Sequence, residues 1–421
     1  MTASAFTLLF LTGLTLSTGL RLWLATRQIA HVERHRDRVP DDFSATVGLA
    51  AHQRAAEYTV GKMRLARWHL LTNALVLLVL TLGGGIQILH DVWAAAGWEG
   101  GSLGHGVALI ASVGIVGWLV DLPFGWIRTF GLEARFGFNR MTPTLFWSDT
   151  ARQAALAVAL GLPILVGLLW IIEAAGEWWW LYAWAGWMSL NLGMMVIWPT
   201  FIAPLFNRFA PLAEGETKGR VEALLTRCGF RSNGLFVMDG SRRSAHGNAY
   251  FTGLGAAKRI VFFDTLLEKL APTEIEAVLA HELGHFRHHH VIKRLVVLGG
   301  AFLVFFALLA WLTGQPWFFQ GLGVAAQDTP TALILFAEVL PVLLFPLAPV
   351  LSVWSRRHEF QADHYAATHA NPEDLISALI KLYRDNASTL TPDPVYSSVN
   401  DSHPPALQRV AQLRKWQEAK A

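Results

Sequence analysis

Seven long apolar stretches constrain the fold of this 421-residue chain more than any other feature of its sequence. A helix needs about 20 consecutive apolar residues to cross the hydrocarbon core of a bilayer. The stretches that meet this requirement are residues 3–24, 70–93, 103–127, 154–174, 181–206, 295–312 and 331–354. The sequence therefore predicts a mainly α-helical protein that crosses a membrane seven times.

Composition supports the membrane class and excludes several others. Hydrophobic residues make up 53% of the chain and charged residues 15%, whereas about 25% of residues are charged in ordinary soluble domains. A disordered chain and a small disulfide scaffold are therefore excluded. Because Cys228 is the only cysteine, an intramolecular disulfide and thiolate metal clusters are excluded as well.

The distribution of Lys and Arg predicts how the spans are oriented. The connection between the first two spans carries seven Arg and one Lys, residues 94–102 contain neither, and this alternation continues to the last span. Since basic loops stay in the cytoplasm, we expect the amino terminus outside and residues 207–290 and the carboxyl tail inside. Arg outnumbers Lys, which hints at a GC-rich genome. A bacterial inner membrane is therefore favoured, with the endoplasmic reticulum membrane expected for a eukaryotic source.

Four regions follow from this layout. They are a membrane region of five spans at 1–206, a cytoplasmic α+β module at 207–291, a hairpin of the last two spans at 292–354 and a cytoplasmic tail at 355–421. Within the module we predict a helix over 215–229 and strands over 235–238, 248–254 and 259–263. Pro272, with a capping box of Thr273 and Glu276, predicts the start of another helix.

That helix carries the motif His281-Glu282-Leu283-Gly284-His285. Residues i and i+4 share one helix face, so two imidazoles converge on one zinc ion. Glu282 lies beside them and can take a proton from a water molecule as a general base. The motif therefore predicts a zinc site, with His281 and His285 as two ligands.

The third ligand must come from elsewhere in the chain. His288 lies seven residues after His281, a rise of about 10 Å, so both cannot bind one ion through bonds of about 2 Å. We interpret 288–290 as polar residues at the mouth of the sixth span. Spans six and seven return the chain to the same side, where Glu359 and Asp363 form another i, i+4 pair. One of them is a candidate metal ligand, and the other is a candidate outer carboxylate that supports the ligands. Spacing alone does not choose between them.

These residues, taken together, resemble a known family. HELGH at 281–285, SRRHEFQADHYA at 355–366 and seven spans resemble the type I CAAX prenyl proteases, which are integral-membrane zinc metallopeptidases. Further matches are FGFN at 136–139, PLFN at 204–207, SAHGNAYF at 244–251, FDTL at 263–266 and SHPP at 402–405. The resemblance covers nearly the whole chain. His358 departs from it, because an aromatic residue is usual at that position.

The resemblance implies seven helices around a water-filled chamber whose cytoplasmic end is closed by the zinc site. It assigns His281, His285 and Glu359 as ligands of one Zn²⁺ ion, Glu282 as the general base and Asp363 as the outer support. It also places Asn248 on an edge strand beside the substrate and His403 near the scissile carbonyl. We expect an extended peptide to add as a strand along Asn248, Ala249 and Tyr250; an ordinary hairpin in a small sheet is the alternative.

The predicted activity is zinc-dependent hydrolysis of peptide bonds in membrane-associated substrates, as in enzymes that remove the last three residues of prenylated CAAX proteins. The expected partners are the bilayer and a peptide or protein, with or without a prenyl group; no nucleic-acid partner is expected. One alternative is a quality-control metallopeptidase of the heat-shock type. Another is a receptor or transporter with a structural zinc, although a closed structural site needs four protein ligands and three good candidates are present.

Overall fold

The structure, a computed structural model, describes residues 1–230, 232–252 and 259–419. Its helices are α1 Ala3–His35, α2 Leu49–Leu80, α3 Gly85–Ala95, α4 Leu103–Trp126, α5 Pro143–Leu156, α6 Leu162–Ala174, α7 Trp179–Ile197, α8 Ala203–Phe206, α9 Glu216–Arg227, α10 Asp264–Leu267, α11 Pro272–Arg287, α12 His290–Thr313, α13 Pro316–Gln320, α14 Thr329–Leu344, α15 Ala348–His369, α16 Pro372–Asp385, α17 Pro394–Asn400 and α18 Ala406–Glu418. The strands are β1 Phe209–Pro211, β2 Leu235–Met238, β3 Ala249–Thr252 and β4 Arg259–Phe263.

Seven helical segments among the described residues are long and apolar enough to cross a membrane, which confirms the predicted number. Several are composite, because short π-helical turns extend α4, join α5 to α6 and join α7 to α8. A 3₁₀ turn at Phe345–Leu347 joins α14 to α15. The last segment runs from Thr329 to His369 and therefore extends well beyond the predicted end of the span.

The predicted bounds of the second span are wrong. Residues 70–93 do not form one helix: α2 ends at Leu80, and α3 begins at Gly85 after a glycine-rich turn. Gly84 has φ +80°, a left-handed conformation that favours glycine. A Cβ at Gly83 would lie 2.7 Å from the carbonyl oxygen of Val79. The membrane helix is instead extended at its other end, beginning at Leu49.

Most residues of the spans are not buried against other parts of the protein. Only 6–22% of the residues in the apolar window of each span are buried. The surface area is 20867 Å², whereas a compact chain of this mass is expected to expose about 16,000 Å². One apolar core, which includes Phe10, Ile86 and Phe319, closes one end of the spans. A second core joins the α+β module to the carboxyl tail. This arrangement agrees with the predicted bundle around a chamber.

The module contains a four-stranded sheet in the order β1-β2-β4-β3. Strands β2 and β4 are parallel, and the two outer pairs are antiparallel. The predicted helix and strands are present with slightly shifted ends; residues 253 and 254 of the predicted 248–254 strand lie outside the described residues. The sequence analysis missed the three-residue strand β1. Strand β3 is at an edge of the sheet.

The predicted capping box at the start of α11 is wrong. The N-cap residue is Ala271, so the third helical residue is Glu274. The carboxylate of Glu274 accepts a hydrogen bond from the Ala271 N–H at 2.7 Å. Thr273 instead donates to Asp374 on α16, and Glu276 accepts from Arg227 on α9. These contacts fix α11, which carries the metal-binding motif, against the rest of the module.

Candidate metal centre and active site

Close packing between α11 and α15 brings the two predicted metal-binding segments together. Gly284 faces α15, and a Cβ at this position would lie 2.8 Å from the Cα of Ala362 and 3.0 Å from its carbonyl oxygen. Ala362 is fully buried. The glycine of the HELGH motif therefore lets α15 approach closely enough for Glu359 to reach the two histidines. The sequence analysis did not identify this role of Gly284.

Three side chains converge where α11 and α15 meet. The Nε2 atoms of His281 and His285 are 3.3 Å apart. Glu359 places Oε2 3.5 Å from Nε2 of His281 and Oε1 3.4 Å from Nε2 of His285. Ligand atoms around a tetrahedral zinc ion with bonds of 2.0–2.1 Å are about 3.4 Å apart. The three groups are therefore spaced as the ligands of a single zinc ion would be.

The hydrogen bonding of Glu359 also fits a cation. Its Oε2 atom is buried and accepts no well-aligned hydrogen bond. His403 Nδ1 lies 2.7 Å from that oxygen, but its direction does not satisfy hydrogen-bond geometry. A buried carboxylate oxygen that accepts no hydrogen bond is costly, and a metal ion bound by His281, His285 and Glu359 would compensate for the missing hydrogen bond.

The second ring nitrogen of His281 is held by a buried carboxylate. Nδ1 of His281 lies 2.8 Å from Oδ1 of Asp363, one turn beyond Glu359 on α15. Arg409 on α18 donates to both oxygens of Asp363, at 2.5 and 2.8 Å. Asp363 and Arg409 are both buried. This pair fixes the tautomer of His281 that leaves Nε2 free for a metal.

Arg409 was missed by the sequence analysis. It lies on the apolar face of α18, next to the buried residues Ala406, Val410 and Leu413. An arginine on an otherwise apolar helix face needs a buried partner, and this was the one signal that the sequence offered. The signal does not identify the partner, which is 46 residues away in the chain.

His285 is held by a second chain of hydrogen bonds. Its Nδ1 atom lies 2.9 Å from Nδ1 of His290, and Nε2 of His290 lies 2.9 Å from Oε1 of Gln361. If Nε2 of His285 faces the metal, its Nδ1–H donates to His290, and the Nε2–H of His290 then donates to Gln361. His358 stacks on His290 with ring centroids 3.9 Å apart, so it packs as the aromatic residue usual at this position would.

The charges at the site favour one cation beside His281. Burial disfavours the imidazolium form of His281, but the carboxylates of Asp363 and Glu359 outweigh burial and raise its pKa to about 9. Burial and the neighbouring His281 lower the pKa of His285 to about 3. Burial also raises the pKa of the Glu282 carboxyl. The carboxylates thus create a field that stabilises positive charge, and Glu282 is shifted toward the range of an effective general base.

The other predicted site residues divide into two groups. His403 lies beside the metal-binding cluster, and its side chain is 62% exposed. The structure does not bring Asn248, Ala249 and Tyr250 into that cluster. Asn248 is exposed and directly precedes β3. Its side chain accepts a hydrogen bond from the N–H of Ala249, and the hydroxyl of Tyr250 contacts Met238.

Comparisons with known proteins bear on the whole chain. The family model described as the CAAX prenyl protease N-terminal region, five membrane helices, matches residues 28–208. The model of peptidase family M48 matches residues 211–417. The chain belongs to the CAAX prenyl protease family. It is a metalloprotease and a multi-pass integral membrane protein, in agreement with the sequence analysis.

Relatives and a solved structure support this membership. The CAAX prenyl protease 1 homolog of Oryza sativa is 34% identical, over 89% of this chain and 90% of that protein. CAAX prenyl protease 1 of Saccharomyces cerevisiae is 38% identical, over 70% of this chain and 69% of that protein. The crystal structure of S. mikatae Ste24p superposes with a TM-score of 0.88 at 30% identity and covers 97% of this chain and 98% of that one. These relatives are eukaryotic and do not support the predicted bacterial membrane.

A large cavity connects the membrane region of this CAAX prenyl protease family member to the edge strand β3. It has a volume of about 780 Å³ and is lined by residues of α4, α5 and the α7–α8 segment together with Tyr250. Asp149, Asn207 and Arg243 form its polar side: Arg243 donates to Asp149 at 2.8 Å and to Asn207 at 3.0 Å. The cavity therefore brings apolar residues of the membrane helices and one residue of the edge strand β3 into one continuous space.

Proposed function

We propose that His281, His285 and Glu359 hold one zinc ion and that Glu282 is the general base in peptide-bond hydrolysis. The observation that carries this proposal is the set of three distances, 3.3–3.5 Å, between the candidate ligand atoms. When bound, zinc supplies Lewis acidity that polarises a carbonyl group and acidifies a water molecule.

Glu282 moves the protons in this proposal. It is adjacent in sequence to His281, and its carboxyl has a raised pKa because it is buried. A base with a pKa closer to neutrality accepts a proton from the attacking water and also returns it efficiently to the leaving amine. Asp363 and Arg409 orient His281, while His290 orients His285, so that both imidazoles present Nε2 to the ion.

The substrate is proposed to bind as an additional strand on β3. In the sheet order β1-β2-β4-β3 this strand has one edge without a strand partner among the described residues. The backbone of Asn248, Ala249 and Tyr250 would pair with an extended peptide, and the membrane-helix side of the cavity next to Tyr250 would accept a prenyl chain. Nδ1 of His403 lies 2.7 Å from Oε2 of Glu359, so this side chain is next to the proposed metal ion. From that position His403 would donate a hydrogen bond to the oxyanion that develops on the scissile carbonyl.

The active site is proposed to face the cytoplasm. The support is the alternation of basic and non-basic connections, which gives the α+β module and the tail the same cytoplasmic side. The proposed substrates are therefore membrane-associated proteins whose carboxyl termini are cytoplasmic, including prenylated CAAX proteins. In the four-region layout predicted from the sequence, the module supplies the proposed ligands His281 and His285, and the tail supplies Glu359.

Mass spectrometry of a cleavage reaction tests the proposed function. The purified enzyme is incubated with a farnesylated CAAX peptide, with the same peptide lacking farnesyl, and with each peptide plus a zinc chelator. We expect loss of the last three residues from the farnesylated peptide and no cleavage after chelation. Equal cleavage of both peptides would contradict a prenyl-binding cavity, and cleavage that persists without metal would contradict the proposed chemistry.

A further inference from the structure

Three potential metal ligands lie together at the other end of the spans. They are His90 on α3, His105 on α4 and Asp328, which precedes α14, and their ligand atoms are within 4.8 Å of one another. Asp328 and Glu359 are 31 residues apart along the last helical segment, a rise of up to about 45 Å. We propose that His90, His105 and Asp328 bind a divalent metal ion, favouring zinc, at a site separate from the HExxH centre.

His105 provides the first argument for this outer metal site. The residue is fully buried, and its Nε2 atom lies 3.1 Å from the carbonyl oxygen of His90. Nε2 therefore carries the proton and donates it to that carbonyl. The remaining nitrogen, Nδ1, has a lone pair but no hydrogen-bond partner within the described part of the chain. Metal-binding histidines commonly show this arrangement, with one nitrogen fixed by a carbonyl group and the other free for the ion.

The spacing and support of the other two ligands agree with a metal ion. Nε2 of His90 lies 3.1 Å from Oδ2 of Asp328, close to the separation of about 3.4 Å between two ligands of a tetrahedral zinc ion. Oδ1 of Asp328 accepts from the N–H of Thr331 at 2.9 Å, so the carboxylate is held with Oδ2 toward His90. Asp91, whose Oδ1 is 3.4 Å from Nδ1 of His90, supplies a second negative charge.

The surroundings leave room for a fourth ligand from solvent. The side chain of Asp328 is 18% exposed and lines a cavity of about 320 Å³. Gly100 and Gly101 pass next to the cluster without side chains. A Cβ at Gly100 would lie 3.5 Å from Cε1 of His90, and one at Gly101 would lie 3.7 Å from the Cβ of Asp328. Two imidazoles, one carboxylate and a water molecule form a typical zinc coordination set.

An ion bound at the outer metal site would link three separate segments of the fold. Its ligands come from the helix that follows the second span, from the start of the third span and from the start of the seventh. An ion bound there joins elements that are more than 200 residues apart in the chain. Binding to the folded state alone stabilises a protein in proportion to the logarithm of the free metal concentration. The site would therefore hold this end of the chamber closed.

Metal analysis of a variant that lacks the HExxH ligands tests this proposal without using peptidase activity. The full chain with His281→Ala and Glu359→Ala is purified in detergent, loaded with Zn²⁺, freed of excess metal and analysed by mass spectrometry of the metal. We expect about one equivalent of zinc to remain and this zinc to be lost when His105→Ala is added. His69→Ala is the matched control, because His69 also pairs with an aspartate, Asp121, at 2.6 Å but lies outside the cluster.

Asp328→Asn keeps the test meaningful if His105→Ala does not fold. Asparagine retains the N-cap contact to Thr331 but weakens the metal ligand. Addition of zinc should raise the midpoint of thermal unfolding of the HExxH-deficient protein, and the rise should disappear with Asp328→Asn. The outer metal site would be overturned if the HExxH-deficient protein retained no zinc or if zinc did not raise its unfolding midpoint. It would also be overturned if bound zinc and the higher midpoint both persisted after His105→Ala. The three residues would then form only a hydrogen-bonded cluster. The proposed peptidase function would be unaffected by that outcome.

Discussion

The imidazole of His281 and the carboxylate of Asp363 lie 2.8 Å apart and join α11 to α15, although the two residues are 82 positions apart in the chain. Asp363 is fully buried, and Arg409 balances its charge. The contact separates the roles of the two carboxylates on α15. Glu359 is within 3.5 Å of Nε2 of both histidines, whereas Asp363 contacts the opposite nitrogen of His281.

Zinc content should therefore distinguish Glu359 from Asp363. Glu359→Ala removes a proposed ligand and should leave the purified protein largely free of zinc. Asp363→Ala removes support from one ligand and should weaken zinc affinity or activity by about 10–100-fold. Metal analysis of both variants, with circular dichroism to check folding, makes the comparison. The ligand assignment is wrong if the Asp363 variant loses its metal while the Glu359 variant keeps a full equivalent.

Gly284 should be as important for metal binding as a ligand. A methyl group at this position would lie 2.8 Å from the backbone of Ala362, so Gly284→Ala should push α15 away from α11 and separate Glu359 from the histidines. We expect loss of most of the bound zinc. Gly219→Ala is the matched control, since Gly219 is in helix α9 and a Cβ there meets nothing within 4 Å. That control should retain zinc and gain about 0.5–1 kcal/mol of stability. Equal zinc in both variants would contradict the packing argument.

Glu274 should make the stability of the α+β module depend on pH. Burial alone would raise the pKa of Glu274, but hydrogen bonds from Lys381 and Ser377 outweigh burial and lower it. A carboxyl group whose pKa is lower in the folded state stabilises the protein at neutral pH. This stabilisation is lost as the pH falls through the folded-state pKa, which lies below 4.5.

Glu274→Gln tests this dependence while keeping an acceptor for the Ala271 N–H. The substitution should lower the free energy of unfolding by about 1.5–3 kcal/mol at pH 7, the typical value of hydrogen bonds to a charged group. Midpoints of thermal unfolding of wild type and variant are compared from pH 7 down to acidic pH. The difference between the two midpoints should stay constant near neutral pH and disappear below the ordinary glutamate pKa of 4.5. A gap that does not change with pH would exclude the proposed charge effect.

The orientation of the spans predicts opposite sides for two reporters. A reporter fused after Ala421 should be cytoplasmic, because the tail follows the basic exit of the seventh span. A reporter inserted near Gly321, in the connection between the sixth and seventh spans, should be on the other side. Activity of a compartment-specific reporter checks both positions. The reverse pattern would contradict the proposed cytoplasmic active site.

The sequence predicted the parts of the fold that lipid imposes. Each membrane helix must match the thickness of the bilayer and therefore needs a long apolar stretch, so seven spans are visible in the sequence as seven such stretches. The second span was misplaced because an apolar stretch does not reveal a break in the helix. The break comes from Gly83 and Gly84, whose backbone contacts and φ of +80° appear only in the folded chain.

The site was predictable where its residues share one helix turn. His281 and His285, like Glu359 and Asp363, occur at i, i+4 spacing, which identifies a common helix face. Arg409 and His290 were missed as supporting residues because their contacts with Asp363 and His285 depend on how separate helices pack. The resemblance to a known family, and not spacing, favoured Glu359 over Asp363 as the metal ligand.

The central claim is tested most directly by the hydrolysis rate of a zinc-loaded Glu282→Gln variant. Glutamine is nearly isosteric with glutamate but cannot accept the proton of the attacking water. We predict a full equivalent of zinc and a decrease in turnover of a farnesylated CAAX peptide by about 10²–10⁴-fold. Turnover close to that of wild type, in a variant shown to contain zinc, would contradict the account by removing Glu282 from the mechanism.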